Sequence, residues 1–279
     1  MAVKIVTDST GDLPPQVVQE LDITVVPLNV NFGEESFQDG VDLDSDGFFQ
    51  RLTTEARLPT TSQPSVGAFL ETYRGLLEGG HEVVSVHISA KLSGTMNSAL
   101  QAREQLDAGD RLAVVDSQQV GLALGVVATA VAQAVKDGAS YAETVDLTPR
   151  ISERVRLFVL LETLEYLQRG GRIGRAQAFL GSLLHIRPIL TVREGEVHPL
   201  ERVRARQRGL ERLCQLAAEC GPLQQVGICH STTPEDALAL AERMQPALAG
   251  GRLIQARFGP VLGTHVGPGA IAITVQASE

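Results

Sequence analysis

Val83-Val84-Ser85-Val86-His87-Ile88, then a helical pattern from Ser93 to Leu106, then Leu112-Ala113-Val114-Val115: this stretch decides the fold. A short apolar run, a segment with 3.6-residue spacing and a second apolar run make a strand-helix-strand unit. Strands joined through a helix run parallel and need cover on both faces. The alternation extends in both directions. Val3-Lys4-Ile5-Val6-Thr7 reads as a strand, and Pro14-Pro15 opens a short helix through Leu21, because proline suits a first helical turn. Ile23 to Val30 reads as one further strand, Phe48 to Leu52 and Val66 to Leu77 as helices, and the Ala-rich Val120 to Val135 as a buried helix. The first half is therefore predicted to be an α/β unit with a mainly parallel sheet and helices on both faces.

Past Tyr141 to Ser152 the pattern changes. Leu157-Phe158-Val159-Leu160-Leu161, Ile189-Leu190-Thr191-Val192 and Val197-His198, with Glu194-Gly195 as a turn, predict hairpin-like strands. Helices are expected over Val203 to Ala218 and Pro234 to Leu248. Strands are expected at Val226 to Cys229, Arg252 to Ala256 and Ile271 to Val275. Fewer strict strand-helix-strand units point to a mixed or antiparallel sheet with helices on one face. A chain of 279 residues also exceeds the usual size of one domain. The expectation is two α/β domains, 1–152 and 153–279, with a ligand between them.

Composition narrows the function. The formal charge of -9 excludes a general nucleic-acid or anionic-membrane binder, since both need a basic face. Aromatic residues make up 4% of the chain and Trp is absent, so interior surfaces must be aliphatic. No run approaches the roughly 18 apolar residues of a membrane span. Met1 to Asp8 reads as structure rather than a secretory signal, and Cys214, Cys220 and Cys229 form no C-x-x-C pair. These features predict a cytoplasmic protein.

Three polar stretches stand out: Thr60-Thr61-Ser62-Gln63-Pro64-Ser65, Leu92-Ser93-Gly94-Thr95 and Gly263-Thr264-His265-Val266-Gly267-Pro268-Gly269. Each is expected at an element end, where free backbone N–H groups can meet an anion. Any one hydroxyl among them reads as a helix cap, and His265 alone as a hydrogen-bonded core or loop histidine. Taken jointly they suggest one anion-holding pocket. Asp8-Ser9-Thr10, Ser89 to Thr95 and Asp116-Ser117 each follow a predicted strand and should share one sheet edge.

Other chemistries fit less well. Ser93, Ser62, His265 and Asp8 offer the parts of a serine hydrolase or acyltransferase, but no G-x-S-x-G elbow is present. There is no G-x-x-x-x-G-K-[ST] loop. Gly267 to Ala272 satisfies G-x-G-x-x-A only formally, too near the end of the chain for a strand-to-helix setting. His81-Glu82 lacks a second histidine, and no metal or other cofactor is expected. Asp39, Asp42, Asp44 and Asp46 read as a solvated turn with helix-capping aspartates in preference to a cation loop.

Taken in order, Lys4 to Thr10 with Asp12-Leu13-Pro14, Asp39-Gly40, Thr60 to Ser65, Ser93-Gly94-Thr95, Asp116-Ser117, Gln168-Arg169-Gly170-Gly171-Arg172-Ile173, Arg187-Pro188-Ile189-Leu190 and His265 to Gly269 resemble the DegV family of bacterial fatty-acid-binding proteins. The resemblance implies two α/β domains with a lipid between them. It implies a carrier, not an enzyme, that presents a long-chain fatty acid to a separate fatty acid kinase for acyl phosphate formation and phospholipid synthesis. It further implies that Thr61, Ser62, Ser93, Gly94 and His265 surround the carboxylate, with hydroxyls and a backbone N–H donating. His265 can add a donor or, if protonated, a charge, and no buried arginine clamp is needed. For Arg169, Arg172 and Arg202 it implies docking of the kinase; the wider cluster of Arg204, Arg206, Arg208 and Arg212 reads equally as a solvated helix face. The chain is expected to act as a monomer. Phe158, Leu160, Leu164, Leu184 and Ile186 are named as tunnel walls, against a default reading of all five as core.

Overall fold

The computed structural model describes residues 2–180 and 186–278. Its strands are β1 (Val3–Asp8), β2 (Ile23–Val26), β3 (Asn29–Phe32), β4 (Glu35–Gln38), β5 (Thr60–Ser62), β6 (Glu82–His87), β7 (Leu112–Asp116), β8 (Val155–Leu160), β9 (Arg187–Arg193), β10 (Glu196–Val203), β11 (Leu223–His230), β12 (Leu248–Arg257) and β13 (Ile271–Ala277). Its helices are α1 (Pro15–Glu20), α2 (Ser45–Thr54), α3 (Val66–Glu78), α4 (Thr95–Leu106), α5 (Leu122–Lys136), α6 (Tyr141–Arg154), α7 (Glu165–Arg169), α8 (Arg206–Ala218), α9 (Pro234–Met244) and α10 (Pro260–Val266).

The first sheet, in order β2-β1-β6-β7, is wholly parallel, as the alternation of strand and helix requires. The predicted strand from Ile23 to Val30 is two strands. Pro27 has no N–H to give a ladder, so β2 stops at Val26, and β3 joins a separate antiparallel sheet of order β4-β3-β5. The second large sheet runs β10-β9-β8-β13-β11-β12, antiparallel except between β11 and β12. It is the mixed sheet anticipated from the second half.

Three apolar clusters show how the layers stack. Val6, Val26 and Val83 pack with Phe69 and Tyr73 of α3 and with Ala99 and Ala102 of α4. On the other face of the first sheet, Ile5, Val84 and Val86 share a cluster with α5 and with Leu157, Leu190 and Ala272 of the second sheet. Phe158, Leu160, Ile189 and Ile273 face the opposite way, onto α8 and α9. The result is five layers, α/β/α/β/α, with α5 and α6 between the sheets. Ten residues of α5 are buried, as its apolar sequence on all sides demands. Gly125 lets α5 touch the turn after β1: a Cβ there would lie 2.4 Å from the Gly11 carbonyl oxygen. Helix α6 ends at Arg154 and β8 starts at the next residue, so sheet and helix meet where the sequence pattern changes.

Candidate functional site

Because β1, β6 and β7 are parallel, Asp8, His87 and Asp116 fall at one edge of the sheet. The turns that follow are tied together there. Ser117 Oγ donates to the His87 carbonyl oxygen at 2.6 Å and the Ser89 amide to the Gln119 carbonyl oxygen at 2.9 Å. Ser89 Oγ also donates to the carbonyl oxygen of Gly195, at the tip of the β9–β10 hairpin, 2.8 Å away. The first sheet's loops thus touch the second sheet directly.

A cavity of about 310 Å³ lies beside this junction, within the range that encloses small molecules. Its apolar wall is shared: Leu28, Ile88, Leu92 and Val120 come from the first half, Val261 and Leu262 from α10, and the rest mainly from the second sheet. Leu157 and Val159 of β8, with Leu161 just beyond it, Leu190 and Val192 of β9, and Ala272 of β13 line it. Strand side chains alternate in direction, so Phe158 and Leu160 point to α8 instead, which corrects their reading as tunnel walls. Leu164 is buried without lining the cavity, Ile186 does not line it, and Leu184 lies outside the described residues.

The polar end gathers Thr61, Ser62, Gln63, Ser93, Arg172 and His265. Thr61 and Ser62 are on β5, the edge strand paired with β3, where the sequence reads as a capping loop. Ser93 precedes α4, and its Oγ lies 2.9 Å from Thr95 Oγ1. Gly94 caps α4 but does not line the cavity. The Gln63 amide covers its α-carbon so closely that a Cβ would sit 2.0 Å from Gln63 Oε1, and Gln63 Nε2 donates to Ser98 Oγ at 3.2 Å. Ser62, Gln63 and Arg172 are exposed, so this end reaches the surface.

His265 is on the last turn of α10, a helix where the sequence suggests a glycine-rich loop. A signal for it exists in the sequence: Pro260 after Gly259 is a helix-start pair. His265 therefore sits at a helix C-terminus, away from free backbone N–H groups. Its Nε2 lies 3.0 Å from Thr61 Oγ1, while its Nδ1 is buried without a hydrogen-bond partner. The ring presses on Gly170, where a Cβ would come within 2.3 Å of Nδ1. Burial first, and then the nearby Arg172 guanidinium, lower its pKa to about 4. At neutral pH the imidazole is uncharged, so of the two roles open to it, hydrogen-bond donor or positive charge, the donor role is the one that fits.

Arg172 is part of the cavity rim. It donates from Nε to the Leu92 carbonyl oxygen at 3.2 Å and from Nη1 to that of Gly170 at 2.8 Å, and so bridges the two halves. Arg169 is exposed and paired with Glu165. Arg202 is exposed with its guanidinium 4.2 Å from the centre of the Phe179 ring. The wider basic cluster is not one free face. Arg206 is held by Glu162 and Asp236, and Arg212 by Glu201 and Glu219.

The hydrolase geometry is absent. The Ser93 hydroxyl engages Thr95, His265 engages Thr61, and Asp8 engages a different histidine, His87. Nothing in the sequence singles out that second cluster. Tyr73 OH donates to Ser85 Oγ at 2.8 Å, Ser85 Oγ lies 2.7 Å from His87 Nε2, and His87 Nδ1 lies 2.9 Å from Asp8 Oδ2. Ser85 and His87 have no exposed surface and Asp8 is 1% exposed, so this Ser-His-Asp chain meets no substrate. The four aspartates of the acidic loop divide as caps and pairs. Asp44 caps α2 through the Gly47 amide, Asp42 accepts from the Gln38 amide, Asp46 pairs with Arg257, and Asp39 is buried. Among the described residues no group of three or more His, Cys, Asp or Glu is arranged to hold a metal ion, and no helix is long and apolar enough to cross a membrane.

Layered α/β lobes enclosing an aliphatic cavity with a hydroxyl-lined polar end define a binding protein for an amphipathic small molecule. The chain belongs to the DegV family: the model described as "Uncharacterised protein, DegV family" matches residues 2–278. A DegV domain-containing protein of Halalkalibacterium halodurans is 39% identical over 98% of this chain and 97% of its own. Two solved structures resemble it along their full length. One, described as fatty acid binding of a DegV family protein from Thermus thermophilus, has a TM-score of 0.91 at 33% identity, with 100% of both chains covered. The other, a stearic acid-binding protein from Eubacterium ventriosum, has a TM-score of 0.90 at 26% identity, covering 99% of this chain and 98% of that one. Both are described by the fatty acid they bind.

Proposed function

We propose that this protein binds one long-chain fatty acid between its two lobes, with the division near residue 152, and presents the carboxyl group to a separate fatty acid kinase in the cytoplasm. The observation that carries the reading is the cavity itself, mostly aliphatic, with only Thr10 and Thr191 as buried polar residues in its wall and its other polar side chains gathered at the end that reaches solvent. Burying a tail is worth about 0.8 kcal/mol per methylene, on the order of 10 kcal/mol for about fourteen carbons before the costs of binding. The tail supplies affinity and the head group orientation.

The head-group site assigned to Thr61, Ser62, Ser93, Gly94 and His265 works with a neutral histidine. If His265 Nε2–H donates to Thr61 Oγ1, the Thr61 hydroxyl proton is free to point at a carboxylate oxygen. His265 then fixes the direction of a donor without contributing charge, and Arg172 at the rim supplies the positive field. A reading of Arg172 as both rim and docking residue follows, with exposed Arg169 and Arg202 extending the docking surface.

The carrier reading is tested with Arg202→Glu. Palmitate affinity is expected to stay within about twofold of the parent, as for a surface substitution, while acyl phosphate formation with a fatty acid kinase is lost. Loss of both would contradict the docking role, and full activity would remove Arg202 from it.

A further inference from the structure

Helix α10 belongs to the second half by sequence but is held by the first. Its two flanking strands, β12 and β13, lie in the second sheet, whereas Gly263 presses on the rings of Phe48 and Phe49, leaving no room for a side chain. At its start the Gly259 amide donates to Asp12 Oδ1 at 2.9 Å and the Val261 amide to Asp39 Oδ1 at 3.3 Å. Asp39 Oδ2 accepts from Ser9 Oγ at 2.7 Å, and Ser9 Oγ accepts from the Leu28 amide at 3.0 Å. Asp39 is 5% exposed. Burial raises both carboxyls, Asp39 to about 6 and Asp12 in the same direction, so keeping them there has a cost.

We infer that Asp39, assisted by Asp12, is a positioning residue for His265, fixing along the axis of α10 the imidazole that orients Thr61. The rings of Phe48 and Phe49 fix the helix sideways, and the carboxylate contacts at its first turn fix it lengthwise from the first lobe. His265 is four positions after Val261, so the two residues lie on one face of the helix, about one turn apart. A shift at the cap is passed rigidly to the ring. The same contact chain through Ser9 reaches Leu28, which lines the cavity.

The inference rests on the fatty-acid reading for its functional readout but has an independent one. Asp39→Ala is expected to lower palmitate affinity about tenfold in the parent and less than about twofold in a His265→Ala background, because the two act through one contact. Asp39→Asn, which keeps an acceptor for the Val261 amide, should recover most of the affinity, and replaces the alanine variant if that one does not fold. In ligand-free protein, the imidazole nitrogen resonances of His265 should move in Asp39→Ala. An equal affinity loss in both backgrounds, or unmoved His265 resonances, would overturn the inference. If the parent itself fails to bind palmitate, the fatty-acid reading falls, and the ligand-free resonances alone still decide whether Asp39 positions the ring.

Discussion

Two histidines in this molecule each contact a hydroxyl through Nε2 and differ in what else surrounds them. His87, at the end of β6, has both ring nitrogens engaged, Nδ1 with Asp8 and Nε2 with Ser85, and no exposed surface. Asp8 in turn accepts from the Ile88 and Thr10 amides and the Thr10 hydroxyl, so every polar group in that chain is satisfied. His265 has one nitrogen on Thr61, one without a partner, and a cavity at its side. A triad-like order of residues therefore marks structure at His87, while the contact with Thr61 at the polar end of a cavity marks the site at His265. A complete buried set is costly to disturb, whereas a hydroxyl held at the edge of a cavity keeps capacity for a ligand.

The largest effect that separates the two is on stability. His87→Ala strips partners from a buried carboxylate and a buried hydroxyl and is expected to cost about 3–5 kcal/mol by denaturant unfolding. His265→Ala, which breaks one bond at a half-open site, should cost about 1 kcal/mol. Equal costs would erase the distinction.

The next effect, about 3 kcal/mol on each side, concerns pH. His265 is lowered to about 4, so between about pH 4 and 6.5 the unfolded chain takes up a proton that the folded one refuses, and this group makes stability rise with pH. Asp39 is raised to about 6, so between its ordinary value of ~4 and about 6 the folded chain keeps a proton that the unfolded one has lost, and stability falls with pH. Asp12 tilts the same way as Asp39. The two slopes oppose each other in the parent. Relative to it, His265→Gln should lose stability as pH rises across that window and Asp39→Asn should gain it. Slopes of the same sign would refute the assignment.

The smallest effect is on binding. Because a neutral His265 acts through Thr61, His265→Ala should weaken palmitate about tenfold, the worth of one well-placed hydrogen bond, without abolishing a tail-driven interaction. Isothermal titration of both histidine variants checks this, with folded His87→Ala expected to bind like the parent.

The layers of the fold are legible in the sequence because strand and helix periods differ and proline marks starts. The parallel sheet around β6 and the hairpin of β9 and β10 follow from that alone. Ile23 to Val30 reads as one strand because its apolar character continues past Pro27, the residue that ends the ladder. Period two tells that the residues of β8 alternate but not which set faces the cavity, so Phe158 and Leu160 could be assigned to the wrong side. The polar segments point at Thr61, Ser62, Ser93 and His265, which do converge on one cavity, while Gly94 is covered by Gln63. Asp39 is hidden among neighbouring aspartates, since its partner amide on α10 lies 222 residues further along the chain.

The most direct test of the carrier role is mass spectrometry of the lipid released by denaturing the purified protein. The expected result is about one long-chain fatty acid per chain, together with a rise in melting temperature when palmitate or oleate is added to stripped protein. Recovery of no acyl species, with no thermal shift from either acid, would contradict it.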